Sequence, residues 1–285
     1  MKKMLRKLVT STRALPLQRT LCSKASSDAL VLTELDNKTG YATVTMNRAP
    51  VNSLNLELMT QLVKTVDDLE RSNVKGLILT SSFSKVFSAG LDIAEMINPN
   101  PDRLRAVWGI LQDLWAKLYG TPFPTVALIN GSAPAGGCLL ALSCEYRVMC
   151  TNFSIGLNEA KLGLIVPPWL QMTMRNTIGA RETESACLKG RMFSSQEALE
   201  KGLVDELAAD KENGKKKALD YLNIFTNTSS YARTGTKLLL RNRDIEDMKR
   251  ISKDDIESFV KNVMNSEFQN GLVAYAQSLK DRKNK

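Results

Sequence analysis

Three short segments of this 285-residue sequence carry residues that could do chemistry. In IGLNEAKLG (155–163), Glu159 is a carboxylate set among Leu157, Leu162, Leu164 and Ile165. Partial burial among those side chains would disfavour its charged form and lift its pKa toward the range of a working base. In FSAGLD (87–92), small residues follow an apolar run, so backbone N–H groups there can face a ligand. In NGSAPAGG (130–137), glycines stand at the start of a helical pattern, where unpaired N–H groups and the helix dipole favour negative charge. Two such N–H groups converging on one oxygen form an oxyanion hole. Each feature also has a plainer alternative. Glu159 could be a solvated loop glutamate paired with Lys161, and the two turns could be tight turns packed on their neighbours.

The rest of the composition narrows what such a site could do. The chain has no histidine, which removes Ser-His-Asp and Cys-His catalysis, HExxH zinc sites and histidine metal cages. General acid or base work falls to Asp, Glu, Lys, Tyr or Cys. Neither GxGxxG nor GxxxxGK[ST] occurs. Ser82 and Lys85 satisfy SxxK, and Arg233-Thr-Gly imitates KTG, but Ser82 follows a strand in a loop where that motif needs a helix start. Five cysteines (22, 138, 144, 150 and 187) without a CxxC indicate neither a disulfide framework nor a zinc site, and fit a reducing compartment. No metal and no cofactor is expected. No apolar run reaches the roughly 18 residues that span a bilayer.

The elements that must position these segments follow from periodicity. Residues 29–35 and 41–46 alternate and read as paired strands. Residues 55–73 and 103–119 place leucines and valines at helical spacing. Short apolar strands are expected at 76–80, 125–130, 145–150 and 203–207, with a helix at about 136–142, a helical start at 91–97 and a helix over 169–178 after Pro167-Pro168. Ser194–Glu197 reads as a capping box for a short helix. From 211 onward the pattern is helical, with breaks expected near 229–230, 250–252 and 265–266. Strand and helix recur about every 50 residues, which suggests stacked crossover units in an α/β fold.

The net charge of +9 is mostly a property of the amino-terminal segment. Residues 1–27 hold seven basic residues and no acid, leaving 32 basic against 30 acidic residues in the remainder. Met4, Leu5, Leu8 and Val9 recur opposite Lys3, Arg6, Lys7 and Arg13 until Pro16, the pattern of a mitochondrial transit peptide with cleavage expected between residues 21 and 28. That predicts a matrix protein with three parts: a leader (1–27), a catalytic core (28–210) and a helical extension (211–285). A basic arm binding RNA is the alternative for the leader. Lys215-Lys216-Lys217 and the tail at 280–285 read as solvated faces, so nucleic acid is not the expected partner.

FSAGLDIAEM (87–96), NGSAPAGGCLL (130–140) and FSIGLNEAKLG (153–163), in that order, resemble the three active-site segments of the crotonase, or enoyl-CoA hydratase/isomerase, superfamily. SSQEALEKGLVDEL (194–207) resembles the stretch before that family's C-terminal helices. The resemblance implies a spiral of ββα units with a C-terminal helical region that assembles homotrimers, and an acyl-CoA thioester as substrate. It implies that the Ala89 and Gly136 amides hold the thioester oxygen. The implied substrate-binding set is Ala89, Gly90, Leu91, Asp92, Ile93, Gly136, Leu139 and Asn158, with Glu159 catalytic. Pro167, Trp169 and Leu170 are candidate acyl-chain contacts, each of them equally a candidate for the core. The family's hydratases carry a first glutamate where this chain has Leu139, and keep the second at Glu159. An aliphatic side chain cannot activate water, whereas one carboxylate can still move a proton between carbons, so the sequence resembles the family's delta-isomerase branch. Hydration, dienoyl isomerisation and a non-catalytic RNA-binding relative are the alternatives on the same fold. Asp92 and Glu95 are nearby acids whose expected role is solvation of a helix start.

Overall fold

A computed structural model describes residues 29–72 and 74–283. The leader with its cleavage site lies outside the described residues. Strand β1 (Val31–Leu35) pairs antiparallel with β2 (Tyr41–Met46). Helix α1 (Leu56–Arg71) begins at Asn55, whose side chain accepts the Leu58 N–H, and buries Leu58, Met59, Leu62, Val66 and Leu69. Strand β3 (Gly76–Ser81) is buried along its whole length. Helix α2 (Pro101–Tyr119) is capped by Asn100, with proline at its first position, where no N–H is needed.

The two glycine-bearing turns and Glu159 lie among short elements that follow. Strand β4 (Thr125–Ile129) leads through β5 (Ala133–Pro134) into α3 (Gly136–Ser143), and β6 (Tyr146–Cys150) leads through β7 (Ser154–Gly156) toward α4 (Pro168–Ile178). Then come α5 (Ala180–Lys189), β8 (Phe193–Ser194), α6 (Ser195–Glu200), β9 (Glu206–Ala208), α7 (Lys211–Asn223), α8 (Ser230–Val263) and α9 (Ser266–Lys283).

The main sheet runs β1-β2-β3-β4-β6-β9 and is parallel from β2 onward. A parallel sheet needs both faces covered, and the central strands β3 and β4 are buried along their whole length. Ala218 and Leu222 of α7 cover one face, against Ile78, Val126, Leu128 and Val148. A larger cluster built on α1, α2 and α3 covers the other. A second ladder is made of the short strands. Val86 bridges Ser132, β5 pairs parallel with β7, and β7 pairs antiparallel with β8. Each functional segment therefore leaves the carboxyl end of a long strand and is gripped by the turn before and the turn after it.

Several expectations need adjusting. The last sheet strand is Glu206–Ala208, later than 203–207, because Leu203 and Val204 turn inward and are buried in the core. Residues 91–97 make a single 3-10 turn, Ile93–Glu95. Helix α8 runs through 250–252 without a break. Its Ser252 hydroxyl donates to Gln112 Oε1 at 2.6 Å, so tertiary contacts hold the stretch where local pattern suggested an interruption. Helix α5 has no counterpart in the sequence reading: it is polar, it buries only Thr183 and Ala186, and Gly179 and Gly190 punctuate its two ends. The capping box is present, with Ser194 and Glu197 bonding each other's backbone. None of the described helices is long and apolar enough to cross a membrane.

Candidate active site

The pairing of β5 with β7 brings the Glu159 loop beside the start of α3. Ala135 N–H donates to Gly156 O at 2.8 Å, fixing the two segments to each other. Ala135 itself sits at φ 49° and ψ −121°, a region nearly confined to glycine, and such positions cost of order 1–3 kcal/mol. That conformation turns the chain so that α3 starts at Gly136. On the other side Gly90, at φ +82°, has no side chain to hold the turns apart. A Cβ built on it would lie 3.0 Å from Ala135 Cβ and 3.1 Å from Gly136 N.

The free amide on the first turn lies two residues beyond the expected one. Ala89 N–H donates to Val51 O at 3.0 Å, so its hydrogen is already engaged. Leu54 bridges Leu91 in parallel, bonding to the residues either side of it: Leu54 N–H to Gly90 O at 2.8 Å, and Asp92 N–H to Leu54 O at 3.1 Å. In a parallel bridge the middle residue turns its own N–H the other way. Leu91 N–H thus has no acceptor among the described residues, and neither has Gly136 N–H. They are neighbours: a Cβ on Gly136 would stand 3.5 Å from Leu91 N.

Glu159 opens the 3-10 turn Glu159–Leu162, closed by left-handed Gly163. The residue is only 7% exposed, and its Oε2 has no hydrogen-bond partner. Burial raises its pKa from 4.5 to about 7. The alternative of a solvated glutamate fails on that burial. Lys161 is exposed and lies over Gly190. Asn158 Oδ1 is a second buried acceptor without a partner, next to the first. Buried polar atoms are ordinarily satisfied, so two adjacent orphans mark a place built to meet something else.

These groups open onto one cavity of about 360 Å³. Ala89, Leu91, Asp92, Ile93, Gly136, Leu139, Asn158 and Glu159 line it, as do Pro167 and Leu170. Gly90 does not; it lies behind the wall and lets the turns touch. Trp169 does not either, being 1% exposed and packed edge-on to Trp108. Asp92 is absorbed by structure, paired with Arg48 at 2.7 Å and capping the 93–95 turn. Glu95 likewise pairs with Arg103 at 2.6 Å. Neither is free to act as a second base. The sequence reading missed the 48–53 segment, Trp108, Leu111 and Tyr275, all cavity residues. In the structure the 48–53 segment is held by Asn52, buried at φ 49°, which donates to Ser81 Oγ and Phe87 O while accepting from Arg48 N–H.

Residues 36–283 match the family described as enoyl-CoA hydratase/isomerase. The chain is similar to the mitochondrial enoyl-CoA delta isomerase 1 of Homo sapiens, 39% identical over 256 residues that cover 89% of this chain and 84% of that protein. It is similar to the mitochondrial enoyl-CoA delta isomerase 1 of Rattus norvegicus, 37% identical over 260 residues and 90% of each chain. The crystal structure of human mitochondrial delta3-delta2-enoyl-CoA isomerase superposes with a TM-score of 0.87, at 38% identity, covering 90% of this chain and all of that one. An enoyl-CoA hydratase from Bacillus halodurans superposes with a TM-score of 0.78 at 27% identity, covering 86% of this chain and all of that one.

Proposed function

The chain belongs to the enoyl-CoA hydratase/isomerase family, and we propose that within it this enzyme is a delta(3)-delta(2)-enoyl-CoA isomerase, moving the double bond of a 3-enoyl-CoA, cis or trans, to the trans-2 position. The observation that carries the reading is one buried carboxylate, with an oxygen that has no hydrogen-bond partner, facing a mostly apolar cavity. Glu159 has Leu139, 0% exposed, on the same cavity wall, where hydration would need a second polar group.

The thioester oxygen lies between the Leu91 and Gly136 amides. As an ionised base, Glu159 takes a proton from C2. The electron pair flows into the carbonyl, giving a dienolate whose oxygen the two amides stabilise. Glu159 then returns its proton at C4, and the double bond settles between C2 and C3. No atoms are gained or lost. One carboxylate can serve both carbons because they lie on one face of the same extended chain. Asn158 sits beside the base and shapes its surroundings. Neither a metal nor a redox cofactor is called on in these steps.

The enzyme works in the mitochondrial matrix on unsaturated acyl-CoA during β-oxidation, as a homotrimer assembled through its C-terminal helices, with residues 1–27 as the leader. The composition of that leader and the two mitochondrial relatives support the location; only the family resemblance supports the trimer.

Assaying 3-enoyl-CoA, trans-2-enoyl-CoA and a dienoyl-CoA side by side tests the reaction. Isomerisation of the first is expected, with no 3-hydroxyacyl-CoA from the second. Hydration at more than about a hundredth of the isomerisation rate would count against a one-carboxylate site, since a single positioned base is worth only about 10²–10⁴-fold.

The raised pKa sets a pH dependence. The working base is the carboxylate, so kcat/KM should rise about tenfold per pH unit up to about 7 and then level off. A profile that stays flat down to about pH 5 would mean that an ordinary, solvated carboxylate or a different group is the base.

A further inference from the structure

One large apolar side chain in the cavity wall, Trp108, is held from behind. Asp255, on α8, uses one oxygen to accept three donors: Trp108 Nε1 at 2.7 Å and Gln112 Nε2 at 2.8 Å, both from α2, and Trp169 Nε1 at 3.0 Å from α4. Trp108 also stacks flat on Phe259 of α8, with ring centroids 3.8 Å apart and planes 9° apart, and meets Trp169 edge-on at 6.0 Å. Trp108 and Trp169 are 5% and 1% exposed. Of this group only Trp108 faces the cavity. A hydrogen bond at its nitrogen and a stack on one face leave its ring no second orientation.

We propose that Trp108 is the residue that limits acyl-chain length and that Asp255 is the residue that positions it. The inference rests on the acyl-CoA isomerase reading, because it assigns the cavity's apolar half to the fatty tail. The polar lining supports that direction. Arg48, Ser53 and Asp92 come from the loops before α2, while Met96, Trp108, Leu111, Leu164 and Leu170 supply apolar lining. Apolar walls with few polar groups take the apolar portion of a ligand. A leucine or phenylalanine at 108 would fill the core without needing any acceptor. An indole tied through its N–H to a carboxylate makes a rigid stop, and that carboxylate comes from the C-terminal helical region.

The test measures kcat and KM for hexenoyl, decenoyl and tetradecenoyl 3-enoyl-CoAs, and in parallel the affinity of saturated acyl-CoAs of the same lengths by competition. In Trp108→Ala the tetradecenoyl-to-hexenoyl ratio of kcat/KM should rise about tenfold or more, carried by KM. Asp255→Leu should move the ratio in the same direction by less. Asp255→Asn, which keeps an oxygen acceptor, should restore it to within about twofold. Should Trp108→Ala not fold, Trp108→Leu carries the same prediction with a smaller cavity. A folded Trp108 variant with an unchanged ratio in both turnover and affinity overturns the proposal, as does an equal loss at every length. If the wild type isomerises no 3-enoyl-CoA yet the saturated-ester affinities shift with Trp108, the isomerase reading fails and the length limit stands.

Discussion

Glu159→Gln should leave a folded protein that still binds CoA esters and should lower isomerisation by about 10²–10⁴-fold, the span that a positioned general base supplies. The substitution is nearly isosteric and removes only the basic oxygen. Among the described residues around the cavity no other acid is free to take over, because Asp92 and Glu95 are held by Arg48 and Arg103, and the sequence has no histidine. Calorimetric affinity for a saturated acyl-CoA, measured beside turnover, separates the two effects. More than a few per cent of wild-type turnover would remove Glu159 from the reaction.

The same variant carries a stability signature whose sign follows from the direction of the pKa shift. The unfolded chain ionises this glutamate near 4.5, the folded one near 7. Burial of the charge therefore costs the wild type nothing below about 4.5, progressively more between 4.5 and 7, and its full amount above 7. Glutamine avoids that cost, so Glu159→Gln should be the more stable protein above pH 7 by up to about 3 kcal/mol, and indistinguishable at pH 4. A denaturation series across that range reads it directly. Lower activity together with higher stability is the mark of a group placed for chemistry at the expense of the fold.

Gly136→Ala should reduce kcat by about 10²–10³-fold, the usual loss when one oxyanion donor is put out of use. The added methyl would sit 3.5 Å from Leu91 N, close to the other free amide. Its nearest contact, at 2.9 Å, is the end of the Leu54 side chain, which can shift, so the fold should survive. Gly136 is helical and carries no positive-φ constraint. Thermal unfolding within about 1–2 kcal/mol of wild type, together with the kinetic loss, would fit the assignment. Full activity in a folded Gly136→Ala protein would move the oxyanion site elsewhere.

Much of this site was legible in the sequence because its chemistry is carried by local motifs. Glu159, Gly136 and Leu139 sit where their segments placed them, and all three line the cavity. The donor on the first turn was misplaced for a physical reason. Which amide is free depends on how Leu91 pairs with Leu54, and backbone pairing between distant segments leaves no mark on FSAGLD itself. The Ala89 N–H is engaged by Val51 O, a partner more than thirty residues earlier in the chain. Trp169 shows a related limit. Helical spacing says that 167–170 is half-buried, but the rotation of α4 decides which residues face the cavity, and Pro167 and Leu170 do while Trp169 packs behind. Periodicity also located most of the long strands and helices. It missed α5, whose polar surface gives no apolar stripe, and it broke α8 at 250–252, where Gln112 on another helix holds Ser252 in place.

The central claim is that one carboxylate carries a proton from C2 to C4 in a site shielded from water. A 3-enoyl-CoA deuterated at C2, turned over to trans-2-enoyl-CoA in ordinary water and analysed by NMR, tests it most directly. Deuterium should appear at C4 of the product, on a single face, in the wild-type reaction, and Glu159→Gln should neither transfer it nor release it from C2. A C4 position filled only by solvent hydrogen, with deuterium still leaving C2 in Glu159→Gln, would contradict the account.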